Sequence, residues 1–222
     1  MTRSLVSLRS LALAAGLPLF VGGVVSLSAP TPALAAQPVT VDELLTGFAK
    51  MPGLYADFRQ ESFFGLLAEP LVDTGTIHFS NGKLARRTLE PTPSVVIMDG
   101  NGIEYGDGQT VERIDLAGKP AIKQFVDAFT MIFAGDRAGL EALYQVEFTP
   151  GTNRTWTLTL VPKVAPMNQI IARVVVSGAE LEISTMRVVE IGGDETVTKF
   201  SNVDTARKYS KADLAKLFSA SL

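Results

Sequence analysis

The run Leu71-Val72-Asp73-Thr74-Gly75-Thr76 has the Asp-Thr-Gly order of an aspartic protease site. That chemistry needs two carboxylates sharing one proton. A single copy would require a homodimer and a second apolar-apolar-Gly segment behind the loop. Neither Phe133-Ala134-Gly135 nor Ile191-Gly192-Gly193 supplies that segment convincingly, so Gly75 reads better as a strand glycine. The one histidine, His78, would have to carry any Ser-His-Asp triad alone, and it reads as a surface or hydrogen-bonded side chain. Zero cysteines remove disulfides, thiol catalysis, iron–sulfur clusters and Cys-type zinc sites. Gly106-Asp107-Gly108 and Gly192-Gly193-Asp194 lack the regular acidic spacing of a calcium loop and read as turns. Arg86-Arg87 reads as solvated hairpin charge, with a lipid head group or membrane partner as the alternative. A net charge of −3 argues against nucleic acid as a partner. No cofactor or metal is implied.

The first 35 of the 222 residues stand apart from any fold. Arg3 and Arg9 precede an apolar run from Leu11 to Leu27, and Ala33-Leu34-Ala35 has the small-x-small order that signal peptidase reads. Cleavage is expected after Ala35 or Ala36, exporting residues 36–222 as one domain to a periplasm. An uncleaved anchor is the weaker reading, because Pro18, Gly22 and Gly23 interrupt a run barely long enough to span.

Beyond that point, Thr40 with Glu43 reads as a capping box, and Leu44, Leu45, Phe48 and Met51 follow at helical spacing until Pro52-Gly53. From Leu54 the period becomes two: Ala56, Phe58 and Gln60 alternate with Tyr55, Asp57 and Arg59. Gly75, Ile77 and Phe79 likewise oppose Thr76, His78 and Ser80, and Asn81-Gly82 predicts a type I′ hairpin turn. Further turns are expected at 91–94, 99–102, 106–108, 151–153, 177–178 and 192–194. The short Val-, Ile- and Thr-rich runs between them bring the count to about eleven strands, a meandering antiparallel sheet. Ile122, Phe125, Val126, Phe129, Ile132 and Phe133 form one amphipathic helix ending at Gly135-Asp136. Residues 138–144 and 211–218 predict two shorter helices. Covering one apolar face of the sheet is the expected use of such helices.

The ordered set Phe58-x-Gln60, Gly75-x-Ile77-x-Phe79, Leu84, Glu90-Pro91, Asp99-Gly100 and Ile103-x-Tyr105 resembles the LolA family of periplasmic lipoprotein carriers. The resemblance implies a mainly β (α+β) fold: an incomplete antiparallel β-barrel of about 11 strands with helices lidding a hydrophobic cavity. It also implies an acylated cargo, an inner-membrane transporter as donor and an outer-membrane protein as acceptor, with the carrier a monomer and not an enzyme. Family carriers have Arg-Pro after the second strand, an arginine that helps hold the lid shut; Asn81-Gly82 stands there in this chain, so that switch does not carry over. Some LolA-like proteins accompany fatty-acid or polyketide-type pathways, which widens the cargo beyond lipoproteins.

On this reading Phe58, Ile77, Phe79, Met98, Trp156, Leu158 and Met186 are the expected cavity wall, and Phe125, Phe129 and Phe133 the lid face. Periodicity alone reads the same side chains equally well as closed core. The rival from another class is a lipid-sensing or envelope-stress regulatory domain, for which the chain leaves no room for a separate partner-binding domain.

Overall fold

The computed structural model describes residues 37–222. Eleven antiparallel strands make one sheet: β1 (Leu54–Phe63), β2 (Leu71–Ser80), β3 (Lys83–Glu90), β4 (Ser94–Asp99), β5 (Gly102–Gly106), β6 (Val111–Ile114), β7 (Tyr144–Pro150), β8 (Thr155–Pro162), β9 (Ile171–Ala179), β10 (Glu182–Glu190) and β11 (Glu195–Asp204). Their spatial order is β6-β5-β4-β3-β2-β1-β11-β10-β9-β8-β7, so two meanders join through the β1–β11 pair. The sheet does not close: β6 and β7 are its two edges. This is the incomplete barrel of mostly β structure that the sequence predicts. The expected signal peptide and its cleavage point lie outside the described residues.

The helices are α1 (Val41–Lys50), α2 (Pro120–Ala134), α3 (Arg137–Leu143) and α4 (Lys211–Leu217). Because β6 and β7 are opposite edges, the chain between them must travel from one edge to the other, and α2 and α3 make that journey. Phe48 of α1 and Ala128 of α2 pack with Leu140, Tyr144, Trp156, Leu158 and Leu160 into the main core. The sheet face they cover is the inner face. Gly135, at φ 71°, closes α2 in the left-handed conformation that a side chain resists, and its N–H reaches the carbonyl of Ile132.

Three local expectations need correction. Thr40 does cap α1, accepting from the Glu43 N–H at 3.2 Å, but the Glu43 carboxylate turns away to Arg154 and leaves the box half made. The β9–β10 turn falls at Glu180 and Leu181, with Glu180 at φ 51°, and not at Ser177-Gly178. Gly178 lies within β9 opposite Trp156, where a Cβ would come within 2.7 Å of the indole, so the glycine makes room for the ring. The C-terminal helix does not join the others. The residues just after it cover the outer face, where Phe218 and Ala220 pack on Ala85, Val95 and Ile97.

Candidate functional site

An aromatic cluster joins the sheet to α2. Phe79 of β2 lies 4.2 Å from Phe133 and 5.9 Å from Phe129, centroid to centroid, and the two helix rings are 4.7 Å apart. Phe48 of α1 completes it at 5.7 Å from Phe133. Helical spacing puts Phe129 and Phe133 on one face of α2, and strand alternation turns Phe79 to the inner face, so the cluster follows directly from the two periods. A crevice of about 360 Å³ opens beside it, lined by these four rings with Met51, Asn81 and Gly82. That is at the small end of the roughly 300–1,000 Å³ of typical ligand pockets. Asn81 and Gly82, at φ 52° and 73°, form the expected tight turn at its mouth. The position where family carriers have Arg-Pro thus borders the opening, but contributes no charge to it.

The strand register divides the remaining expected wall residues. Leu158, Val176, Met186, Thr198, Gln60 and Asp73 are successive partners across β8, β9, β10, β11, β1 and β2, so they share the inner face. Trp156 and Leu158 lie in the closed core under α1, and Trp156 donates its indole N–H to the Glu180 carbonyl at 2.9 Å. Met98 is buried on the inner face of β4, Ile77 and Met186 are half-buried, and Phe125 is exposed on α2. Of the ten expected residues, the crevice brings together Phe79, Phe129 and Phe133. Sequence reading missed Phe48 and Met51 as lining residues, although their place at the end of an amphipathic helix was the available signal.

The inner face is not wholly apolar. Arg86, paired with Ile77, points inward, and its guanidinium lies 4.4 Å over the Phe58 ring. Its nearest carboxylate is Asp73 at 3.5 Å, so the Asp-Thr-Gly aspartate faces an arginine and not a second acid. Gly75 is needed because Phe58 leans over it: a Cβ there would stand 2.0 Å from the Arg87 carbonyl and 2.9 Å from the Phe58 ring. Arg87 points outward and donates to the carbonyls of Leu217, Ser219 and Ser221. Neither arginine is the solvated hairpin charge that the sequence suggested, and burial lowers the pKa of both.

His78 is likewise committed to structure. Tyr209 spends its hydroxyl proton on the Leu54 carbonyl at 2.6 Å, so it accepts from Nδ1–H of His78 at 3.2 Å, and Nε2 accepts from Thr76 at 3.0 Å. That bonding fixes a neutral tautomer. Burial, then the nearby Arg87 and Arg207, push its pKa down to about 4. Asp107 accepts backbone N–H groups from Gln109 and Thr110, as a turn residue does. Among the described residues no group of three or more His, Asp or Glu side chains is placed to hold a metal ion. No helix among them is long and apolar enough to cross a membrane.

A family model described as outer membrane lipoprotein carrier protein LolA-like matches residues 33–218. The chain belongs to the LolA-like family. A search of the curated proteins returns no match. Among solved structures, a DUF1329 family protein from Desulfovibrio piger shares 13% identity over 78% of this chain and 93% of its own, at a TM-score of 0.47. A LolA superfamily protein from Nitrosomonas europaea shares 10% over 78% of this chain and 96% of its own, at 0.40. An outer membrane lipoprotein-sorting protein domain from Vibrio parahaemolyticus shares 12% over 79% and 95%, at 0.43. These scores are too low to say more than the family match does. The LolA-like assignment rests on that match over most of the chain.

Proposed function

We propose that this LolA-like chain is a periplasmic carrier that shields the acyl chains of a lipoprotein or another lipidated cargo between the inner and outer membranes. By family analogy it loads from an inner-membrane transporter, unloads to an outer-membrane acceptor and works as a monomer. The observation that carries the reading is the aromatic latch: Phe79 on the sheet against Phe129 and Phe133 on α2, beside an open crevice.

Magnitudes favour opening by a chain. Burying a sixteen-carbon chain gains about 12 kcal/mol gross, at roughly 0.8 kcal/mol per methylene. The four aromatic pairs of the latch contribute about 2–6 kcal/mol beyond simple burial. A chain slipping between α2 and β2 replaces ring contacts with its own, so the apolar surface stays covered while the latch parts. The same exchange runs backwards on release, which a permanent core would not permit. Phe58, Ile77, Met98, Trp156, Leu158, Met186 and Phe125 would become wall or rim residues only as the latch opens further.

The test is fluorescence binding of a dansylated undecanoic acid to residues 36–222, followed by displacement with a diacylated lipopeptide. The carrier reading expects saturable binding and full displacement. Absence of binding by a folded protein would count against it.

A further inference from the structure

We propose that the Arg86 guanidinium is an anion-holding station on the inner face, and that the cargo therefore carries a phosphate or carboxylate close to its acyl chains. The proposal rests on the carrier reading and adds the chemical class of the cargo's head.

An arginine is an expensive choice for this wall. Its row neighbours are Ile77 and Val96, and a leucine would continue the apolar surface without the desolvation cost of a charge. The arginine is held ready and not consumed. The guanidinium carbon stands 4.4 Å from the centre of the Phe58 ring, so the ring packs against one side of the charged group. One N–H donates to Thr88 at 2.8 Å. The contact to Asp73 is 3.5 Å, at the limit of a hydrogen bond and well beyond the roughly 2.7–2.9 Å of a firm charge-assisted one. The same Asp73 oxygen is reached by the Gln60 amide at 3.4 Å, and Thr198 donates to the Gln60 carbonyl oxygen at 3.4 Å. Loose bonds thus link Arg86, Asp73, Gln60 and Thr198 on a face whose other side is aliphatic.

Geometry gives each part a use. A guanidinium fork matches two oxygens of a phosphate or carboxylate, which would replace the single long contact to Asp73 with two short ones. The Gln60 amide, released from Asp73, can donate to a third oxygen. Asp73 keeps the empty site neutral, and its loose hold keeps the exchange cheap. The apolar side chains of β8–β10 would meet the chains while the polar patch of Thr198, Gln60, Asp73 and Arg86 on β11–β3 met the head. A neutral acyl lipid gains nothing from this arrangement.

The experiment uses three palmitoyl probes with the mature chain: lysophosphatidic acid, palmitic acid and monopalmitoylglycerol. The proposal expects at least one anionic probe to bind about tenfold or more tighter than the neutral one. It expects Arg86→Gln to erase that preference while leaving monopalmitoylglycerol affinity unchanged, Asp73→Asn to increase it, and Arg86→Lys to restore part of it. An Arg86-dependent preference for only one anion names phosphate or carboxylate as the source. Equal affinity for all three probes, or an equal loss for all three in Arg86→Gln, overturns the station but leaves the carrier. Absence of binding by any probe removes the carrier reading and the station with it. Arg113→Gln, which breaks an exposed pair with Glu104, is the control and should alter nothing.

Discussion

Phe79 and Phe133 lie ring against ring at 4.2 Å, one fixed in the sheet and the other on the helix above it. They are 54 residues apart, and between them the chain runs through β3–β6 to the far edge before α2 brings it back. A contact between a rigid sheet and a helix on a long connection is where such a molecule should open. The turn bordering the crevice, Asn81-Gly82, brings no charge to it, and the polar ties of α2 lie more than a turn away, where Gln124 bonds to Val164, Ala165 and Met167.

Phe129→Glu should abolish acyl-probe binding with the fold retained. Phe129 is half-buried at the crevice, so a carboxylate there can reach water while it repels an apolar chain. Circular dichroism and a fluorescent fatty-acid titration on the same sample would check both halves. A variant that unfolds outright would mean that the ring belongs to closed core.

Gly75→Ala should destabilise by about 2 kcal/mol or more, as overpacking of a filled site does. The added methyl meets the Arg87 carbonyl, which is backbone and cannot swing aside. Urea denaturation would measure it; an unchanged midpoint would mean that the sheet relaxes freely where the β2–β3 register shifts between Thr74 and Gly75.

Stability should fall as pH drops from about 6.5 to 4. The unfolded chain binds a proton at His78 near its ordinary value, while the folded site, with a pKa of about 4, resists it. The contribution is therefore fully present above about pH 6.5 and lost towards pH 4, about 3 kcal/mol across that window. Glu43, Asp57, Asp107 and Asp213 have lowered pKa values, so their contributions begin to fall only near the acid end of that window and go on falling below it. Melting temperatures of wild type and His78→Gln, measured at steps from pH 7.5 to 4.5, would show a slope in the first and a much flatter line in the second.

Arg87→Ala should loosen the C-terminal segment from the outer face. Three carbonyls between Leu217 and Ser221 lose their shared donor, and Ala220 is the residue that seals Ala85, Val95 and Ile97. Hydrogen exchange should speed up at residues 217–222 and in β4, while α2 keeps its protection.

Much of this architecture is written in local patterns. The Asn81-Gly82 turn, the helical spacing of Phe129 and Phe133, and the period-two runs of β1 and β2 declare their elements and their inward faces, whereas Phe125, at the same spacing, lies exposed. The outer face was harder to read. Val95-Val96-Ile97-Met98 is apolar without alternation, which signals a strand buried on both sides, but only the tertiary fold shows that residues 218–220 cover the second side. Arg86 and Arg87 illustrate the same limit: adjacent in sequence, they leave opposite faces of β3, and which one enters the barrel depends on register. Glu43 forms a capping box by sequence, yet Arg154, 111 residues away, competes for it and wins.

Native mass spectrometry of residues 36–222, purified gently from a bacterial periplasm, tests the carrier reading most directly. The account predicts a species heavier than the bare chain that releases an acylated molecule on activation. A bare-chain mass that gains nothing when acylated lipids or lipopeptides are added would contradict it.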